Sequence, residues 1–273
     1  MMKSGYNPVR RNRNIGTAKQ GRERRNALTI PLVCNADRIW WENLGPHTVV
    51  KRDVGVHEIT FLVENTRADC VHACTVDDLC SILSFVPKSD LESLDTVVLR
   101  QSTRKQAIVN PAWGRLAYSA EFGKPGHKAS HTGPAVFLEA TNPTRVWTWS
   151  RKLCPEDSIE LESLKNDGHR VKDTGKHFEF HSSLESVRTT QLYRTLLHEI
   201  GHWVDWLEKV VRPAGDDFVL RDALSGRYFA RPDQERELFA HQYADVLRKR
   251  LTAEGRIPFQ RMSDRVGTPR SQP

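Results

Sequence analysis

Long apolar runs are missing from this chain of 273 residues. No stretch of about 20 apolar residues exists, which excludes a membrane-spanning helix, and no apolar core follows the basic start, so a cytoplasmic protein without a secretory signal is expected. Neither absence bears on delivery into another cell. Cysteine is scarce as well, at five residues, with Cys34 and Cys154 far from the other three. An odd, scattered set argues against a disulfide framework and fits a reducing compartment.

Acidic residues are nearly absent from residues 1–27. There Lys3, Arg10, Arg11, Arg13, Lys19, Arg22, Arg24 and Arg25 face the single acid Glu23, a surplus equal to the net charge of +7 of the whole chain. The remainder is therefore electrically balanced. With almost no large apolar side chain to bury, residues 1–27 read as a disordered basic tail. Arg10, Arg11, Arg13, Arg22, Arg24 and Arg25 are its candidate nucleic-acid contacts. A membrane surface, an acidic partner, an Arg-rich transit peptide and a merely solvated tail remain alternatives for the same composition.

Chemistry is concentrated in His198-Glu199-Ile200-Gly201-His202. Two imidazoles four positions apart on a helix point the same way and can grip one metal ion, and the acid between them can take a proton from water. The flanks support a helix. Ser182-Ser183-Leu184-Glu185 reads as a capping box, and no proline interrupts the chain from there to about Val211. Leu192, Leu196, Leu197, Ile200, Trp203, Val204 and Leu207 recur at helical spacing. Gln191, Arg194, Thr195, His198, His202 and Asp205 share a polar stripe that is expected to face a cleft, the alternative being a solvated face. Asp205, three positions after His202, is a candidate to orient an imidazole or a plain surface acid.

A third ligand is expected from a second helix that begins near Pro232, after a loop around residues 213–217. Glu237, Ala240, His241 and Ala244 fall on one of its faces, and the small side chains let two helix axes come close enough for Glu237 to reach an ion held by His198 and His202. Glu235 is the rival ligand. His241, one turn after Glu237, is open to ligation, to a hydrogen bond with Glu237 or the substrate, or to helix packing.

The string Leu197-His198-Glu199-Ile200-Gly201-His202-Trp203-Val204-Asp205, with Glu235-Arg236-Glu237-Leu238-Phe239-Ala240, resembles the gluzincin type of zincin metallopeptidase, and within it the anthrax lethal factor-like branch. Tyr193 to Glu199 with the Glu-rich second helix is also similar to the metallopeptidase domain of plasmid antirestriction proteins. The resemblance spans about residues 184–247. It implies one Zn2+ held by His198, His202 and Glu237, Glu199 as general base, and Tyr228 as donor to an oxyanion; His241 stands where the lethal factor-like pattern carries an acid. It further implies a zinc endopeptidase acting on a protein or peptide substrate. An α+β zincin-like fold is implied too: a small twisted sheet with flanking helices, then the active helix and the glutamate-bearing helix, with one edge strand pairing with the substrate backbone.

On this reading residues 28–255 form one unit, an upper lobe over 28–182 and a lower lobe over 183–255, followed by a flexible tail over 256–273. Strands are expected at 59–63, 95–100, 116–122, 135–140 and 145–149, and a helix at 76–86 capped by Thr75 over Asp78. Residues 135–140 are the candidate edge strand. Cys70, His72, Cys74 and Cys80 lack zinc-finger spacing; they offer either a structural zinc or, for Cys80, packing with Leu79, Ile82, Leu83 and Phe85. His177 and His181 alternate with aromatics, which suits a short strand. Two other classes of function stay open: a nucleic-acid-associated mobile-element protein carrying a zincin domain, and a structural zinc protein without turnover. Deleting residues 1–27 is expected to lower any nucleic-acid affinity and flatten its dependence on salt, measured by titration from low to high ionic strength. An unchanged slope rejects the tail as the contact.

Overall fold

The computed structural model describes residues 42–109, 111–123 and 131–263. The basic tail with Arg10, Arg11, Arg13, Arg22, Arg24 and Arg25, together with Cys34 and residues 264–273, lies outside the described residues. The fold is mixed α+β. Strands β1 (His47–Val54), β2 (His57–Glu64), β3 (Thr96–Arg100), β4 (Gly114–Phe122) and β5 (His131–Glu139) form one sheet in the order β1-β2-β3-β5-β4. The inner strands β2, β3 and β5 run parallel, and β1 and β4 run antiparallel to their neighbours at the two edges. Parallel strands covered on both faces read as continuous apolar runs, and Thr96-Val97-Val98-Leu99-Arg100 is buried throughout. The expected edge role of residues 135–140 is corrected: β5 is held between β3 and β4, and β4 is the edge.

Helix α1 (Val76–Leu83) opens with the Thr75–Asp78 capping box, and α2 (Arg104–Val109) follows β3. A second sheet, β6 (Trp147–Ser150), β7 (Arg170–Asp173) and β8 (His177–His181), has the order β6-β8-β7 and packs with α3 (Pro155–Asn166) around Leu161, Leu164 and Phe180. Trp147 stacks flat on its cross-strand partner Phe180, ring centroids 4.0 Å apart. His177 and His181 sit on β8 beside Glu179, as a strand predicts.

Helix α4 consists of α-helical segments Leu184–Thr190, Leu196–Trp206 and Arg212–Ala214, joined without a break by π-helical turns Gln191–Thr195 and Leu207–Val211. Its cap lies one residue later than expected. Ser183 and Ser186 form the capping box, while Ser182 receives the Trp147 indole N–H at 3.4 Å. Leu192, Leu196, Leu197, Ile200, Trp203, Val204 and Leu207 enter the main core against Leu99, Val136 and Leu138 of the sheet. The stretch after α4 contains a helix the sequence reading lacked, α5 (Phe218–Phe229), capped by Asp217; α6 (Asp233–Ala253) then crosses α4. Among the described residues no helix is long and apolar enough to cross a membrane.

Residues 256–263 are anchored, which corrects that part of the expected flexible tail. Ile257 joins the core, the Phe259 carbonyl accepts from Arg188 at 2.9 Å, and the Met262 N–H donates to Asp78 at 3.0 Å. Arg188 is fully buried, and its guanidinium donates to both Asp78 oxygens at 3.1 and 3.0 Å. One charge pair thus ties α1, the start of α4 and the C-terminal segment together. Asp78→Ala leaves a guanidinium in the core without its counter-ion, and chemical denaturation should show a loss of about 3–5 kcal/mol. A change below about 1 kcal/mol would mean that the pair does not organise this junction.

Candidate metal centre

The three expected ligand groups converge. His198 and His202 sit one turn apart on α4, and their Nε2 atoms are 3.1 Å from each other. Glu237, near the start of α6, puts Oε2 at 3.3 Å from His198 Nε2 and Oε1 at 3.4 Å from His202 Nε2. An ion bound tetrahedrally at about 2.0–2.1 Å spaces its ligand atoms roughly 3.3–3.4 Å apart, so these separations suit a small cation of the zinc type. The donor chemistry also suits it, with two imidazoles and one carboxylate. Burial disfavours protonated His198, and the two imidazoles hold the Glu237 carboxyl well below the usual carboxylate range. Among the described residues this is the one group of His, Cys, Asp and Glu side chains close enough together to share an ion.

Backbone proximity explains the convergence. A Cβ placed on Gly201 would lie 2.9 Å from both the Cα and the carbonyl oxygen of Ala240, and 3.2 Å from the Tyr243 Cβ. Real side chains do not tolerate such contacts with main chain. Only glycine at 201, opposite the fully buried Ala240, lets α6 lie on α4 closely enough for a side chain as short as glutamate to reach both rings. The expected role of Ala240 is met, with Gly201 as its unrecognised partner, and Ala244 is buried in the main core; a lone glycine within an apolar helix pattern was the available signal.

Glu199 points to the sheet. The Leu116 main-chain N–H on edge strand β4 hydrogen-bonds its carboxylate. Burial pushes the carboxyl up to about 7, and the nearby Glu237 charge adds to this, against the opposing pull of His202, that N–H and Arg115. A buried acid with such a partner is poised to exchange protons near neutrality. Gly114 lets β4 come this near, because a Cβ there would fall 2.6 Å from the Phe137 carbonyl and 2.8 Å from Thr195 Cγ2 on α4.

Other expected site residues are placed differently. Asp205 is fully buried and does not orient an imidazole: it is held by Arg231 at 2.9 Å, by Lys209 and by Tyr228. The Nδ1 atoms of His198 and His202 are buried with no hydrogen-bond partner among the described residues. Tyr228 is only 2% exposed, and its hydroxyl lies between Asp205 and the Tyr118 hydroxyl, 3.2 Å from the latter. That corrects its expected place as a donor open to the cleft. His241 is exposed, its ring 4.4 Å from that of His198. Glu235 pairs with Arg231, and it is Glu237 that joins the two histidines. The polar stripe is mostly structural rather than a cleft wall. Gln191 donates to the Trp113 and Glu139 carbonyls, Arg194 pairs with Glu160 and Asp167, and only the two histidines remain for chemistry. Cys74 and Cys80 pack into or against the core with burial raising their thiols, and His72 bonds the Glu64 carbonyl at 2.8 Å.

No family profile, curated protein or solved structure matches the chain. Gly201→Ala tests the geometry directly. Alanine gains about 1 kcal/mol of helix propensity, against about 1–3 kcal/mol for overpacking. The helix should persist by circular dichroism while zinc affinity, measured with a competing chelator, falls on the order of tenfold. Unchanged affinity would mean that the helix approach does not set the site.

Proposed function

We propose that the chain is a zinc-dependent endopeptidase of the zincin type, with His198, His202 and Glu237 holding the ion and Glu199 as general base. The observation that carries this reading is the convergence of two imidazole nitrogens and a carboxylate from separate helices, beside a buried acid that none of the three replaces. A divalent ion held there supplies Lewis-acid chemistry, polarising a carbonyl and lowering the pKa of water. Glu199 takes a proton from the attacking water as the carbon–oxygen bond forms, then passes it to the amine nitrogen as the carbon–nitrogen bond breaks. The Leu116 N–H holds the Glu199 carboxylate in place while it does so.

The surroundings support the same reading. The edge strand β4 borders α4, runs antiparallel to β5, and has one side free of any described strand. An extended peptide can add there through main-chain hydrogen bonds, a mode that gives affinity with little dependence on sequence. The sheet, the motif-bearing helix and the glutamate-bearing helix follow one another in the order the zincin resemblance implies.

The decisive variant is Glu199→Gln, which keeps the shape and the ion ligands but cannot accept the proton. It should bind one zinc per chain by elemental analysis and lose about 10²- to 10⁴-fold in hydrolysis of casein or a peptide library. Cleavage at the parent rate by this variant would remove the general base, and absence of cleavage by the zinc-loaded parent would remove the peptidase reading.

A further inference from the structure

The motif continues past its second histidine in a way the hydrolytic reading does not use. His198, His202 and Trp206 follow at four-residue intervals on α4, so the indole stands one turn beyond the ion ligands on the same helix face. On β4, Tyr118 comes two residues after Leu116, the residue that touches Glu199. Its ring packs on Trp206 with centroids 4.8 Å apart. Phe229, the last residue of α5, meets both, at 5.5 Å from Tyr118 and 5.3 Å from Trp206, yet remains 49% exposed. With the buried Tyr228, which touches all three, these elements bring four aromatic rings together on the His202 side of the site. Burial alone does not explain Phe229, since half of a large apolar ring is left in water at this place.

From this arrangement we infer that Tyr118, Trp206 and Phe229 form a subsite for a large apolar or aromatic side chain of the bound peptide, beside the bond to be cleaved. The inference rests on the peptidase reading and adds its substrate class: peptides carrying such a side chain near the cleavage point. The register of β4 shifts between Ala117 and Ala120, so a peptide paired with β4 at Leu116 meets the Tyr118 ring where the regular ladder ends, and its side chain there falls on the wall. Ring-on-ring contact then favours aromatic over small side chains. Arg231 and Arg236 are engaged by Asp205 and Asp233, and Arg236 also lies over the Phe229 ring at 5.7 Å, so one guanidinium borders the subsite.

Binding separates this inference from turnover. The zinc-loaded full chain carrying Glu199→Gln is titrated, by fluorescence polarisation, with two labelled alanine-rich peptides that differ at one central position, Phe or Ala. The Phe peptide should bind about fivefold more tightly or better, and adding Phe229→Ala should abolish that difference while the Ala peptide is unaffected. Phe218→Ala, at the opposite end of the same helix and 80% exposed, should change neither value. Trp206→Leu serves as a second variant, with its thermal melt recorded alongside to verify folding. Equal affinity of the two peptides, or a preference that survives both Phe229→Ala and Trp206→Leu, overturns the subsite. In that case cleavage of a peptide library by the parent chain would still uphold the peptidase. Aromatic preference lost on Phe229→Ala, in a parent chain that cleaves nothing, would uphold the subsite and reject the peptidase.

Discussion

Contact between two helices at Gly201 and Ala240 is the constraint on which the rest turns. A carboxylate on a two-carbon stem reaches an ion held by another helix only if the backbones nearly touch, and they touch only where neither presents a side chain larger than a methyl group. Gly201 lies inside the five-residue motif itself, between an apolar core position and the second histidine. The same short string therefore carries the proposed ligands, the proposed base and the notch into which the helix of Glu237 fits. Gly114 repeats the device on the other side of α4, where it brings the edge strand against the helix.

Such closeness needs a rigid frame, and the frame is built largely from buried charge. Arg188 with Asp78 fastens the start of α4 to α1 and to the C-terminal segment, and Arg194 with Glu160 and Asp167 fastens the next turn to α3. Asp205, with Arg231 and Lys209, fastens the far end of the motif to the approach of α6. Each pair sits before or after the two histidines rather than among them. The two histidines between are left with their Nε2 atoms turned to one point. Charges that look functional on a helical wheel serve here to hold the helix still.

The site was legible where its chemistry is local. Two histidines at four-residue spacing and a glutamate on a helix with small neighbours can be read from periodicity alone, and the structure brings these side chains together. What depended on the order of strands was not legible: residues 135–140 have the apolar pattern of any buried strand, and only pairing shows that β5 is internal and β4 the edge. Asp205 and Tyr228 were misplaced for a related reason, since their partner Arg231 follows a helix, α5, that a weakly apolar, Gly- and Asp-bearing segment did not announce. The anchored stretch after residue 255 was missed because a single main-chain carbonyl and one N–H, rather than a run of apolar residues, hold it to the buried pair. The fold class and most elements of the main sheet were visible in the alternation of apolar runs and turns, while β1, β7 and α3, short or exposed, were not.

The central claim is that one zinc ion is held by two imidazoles and one carboxylate. X-ray absorption at the zinc edge on the purified full chain, loaded with one equivalent of zinc, measures this most directly. The account predicts only nitrogen and oxygen neighbours at about 2.0–2.2 Å, with an imidazole scattering pattern that collapses when both histidines are replaced. A sulfur shell at about 2.3 Å, placing the ion among the cysteines, or an unchanged spectrum after replacing His198 and His202, would contradict it.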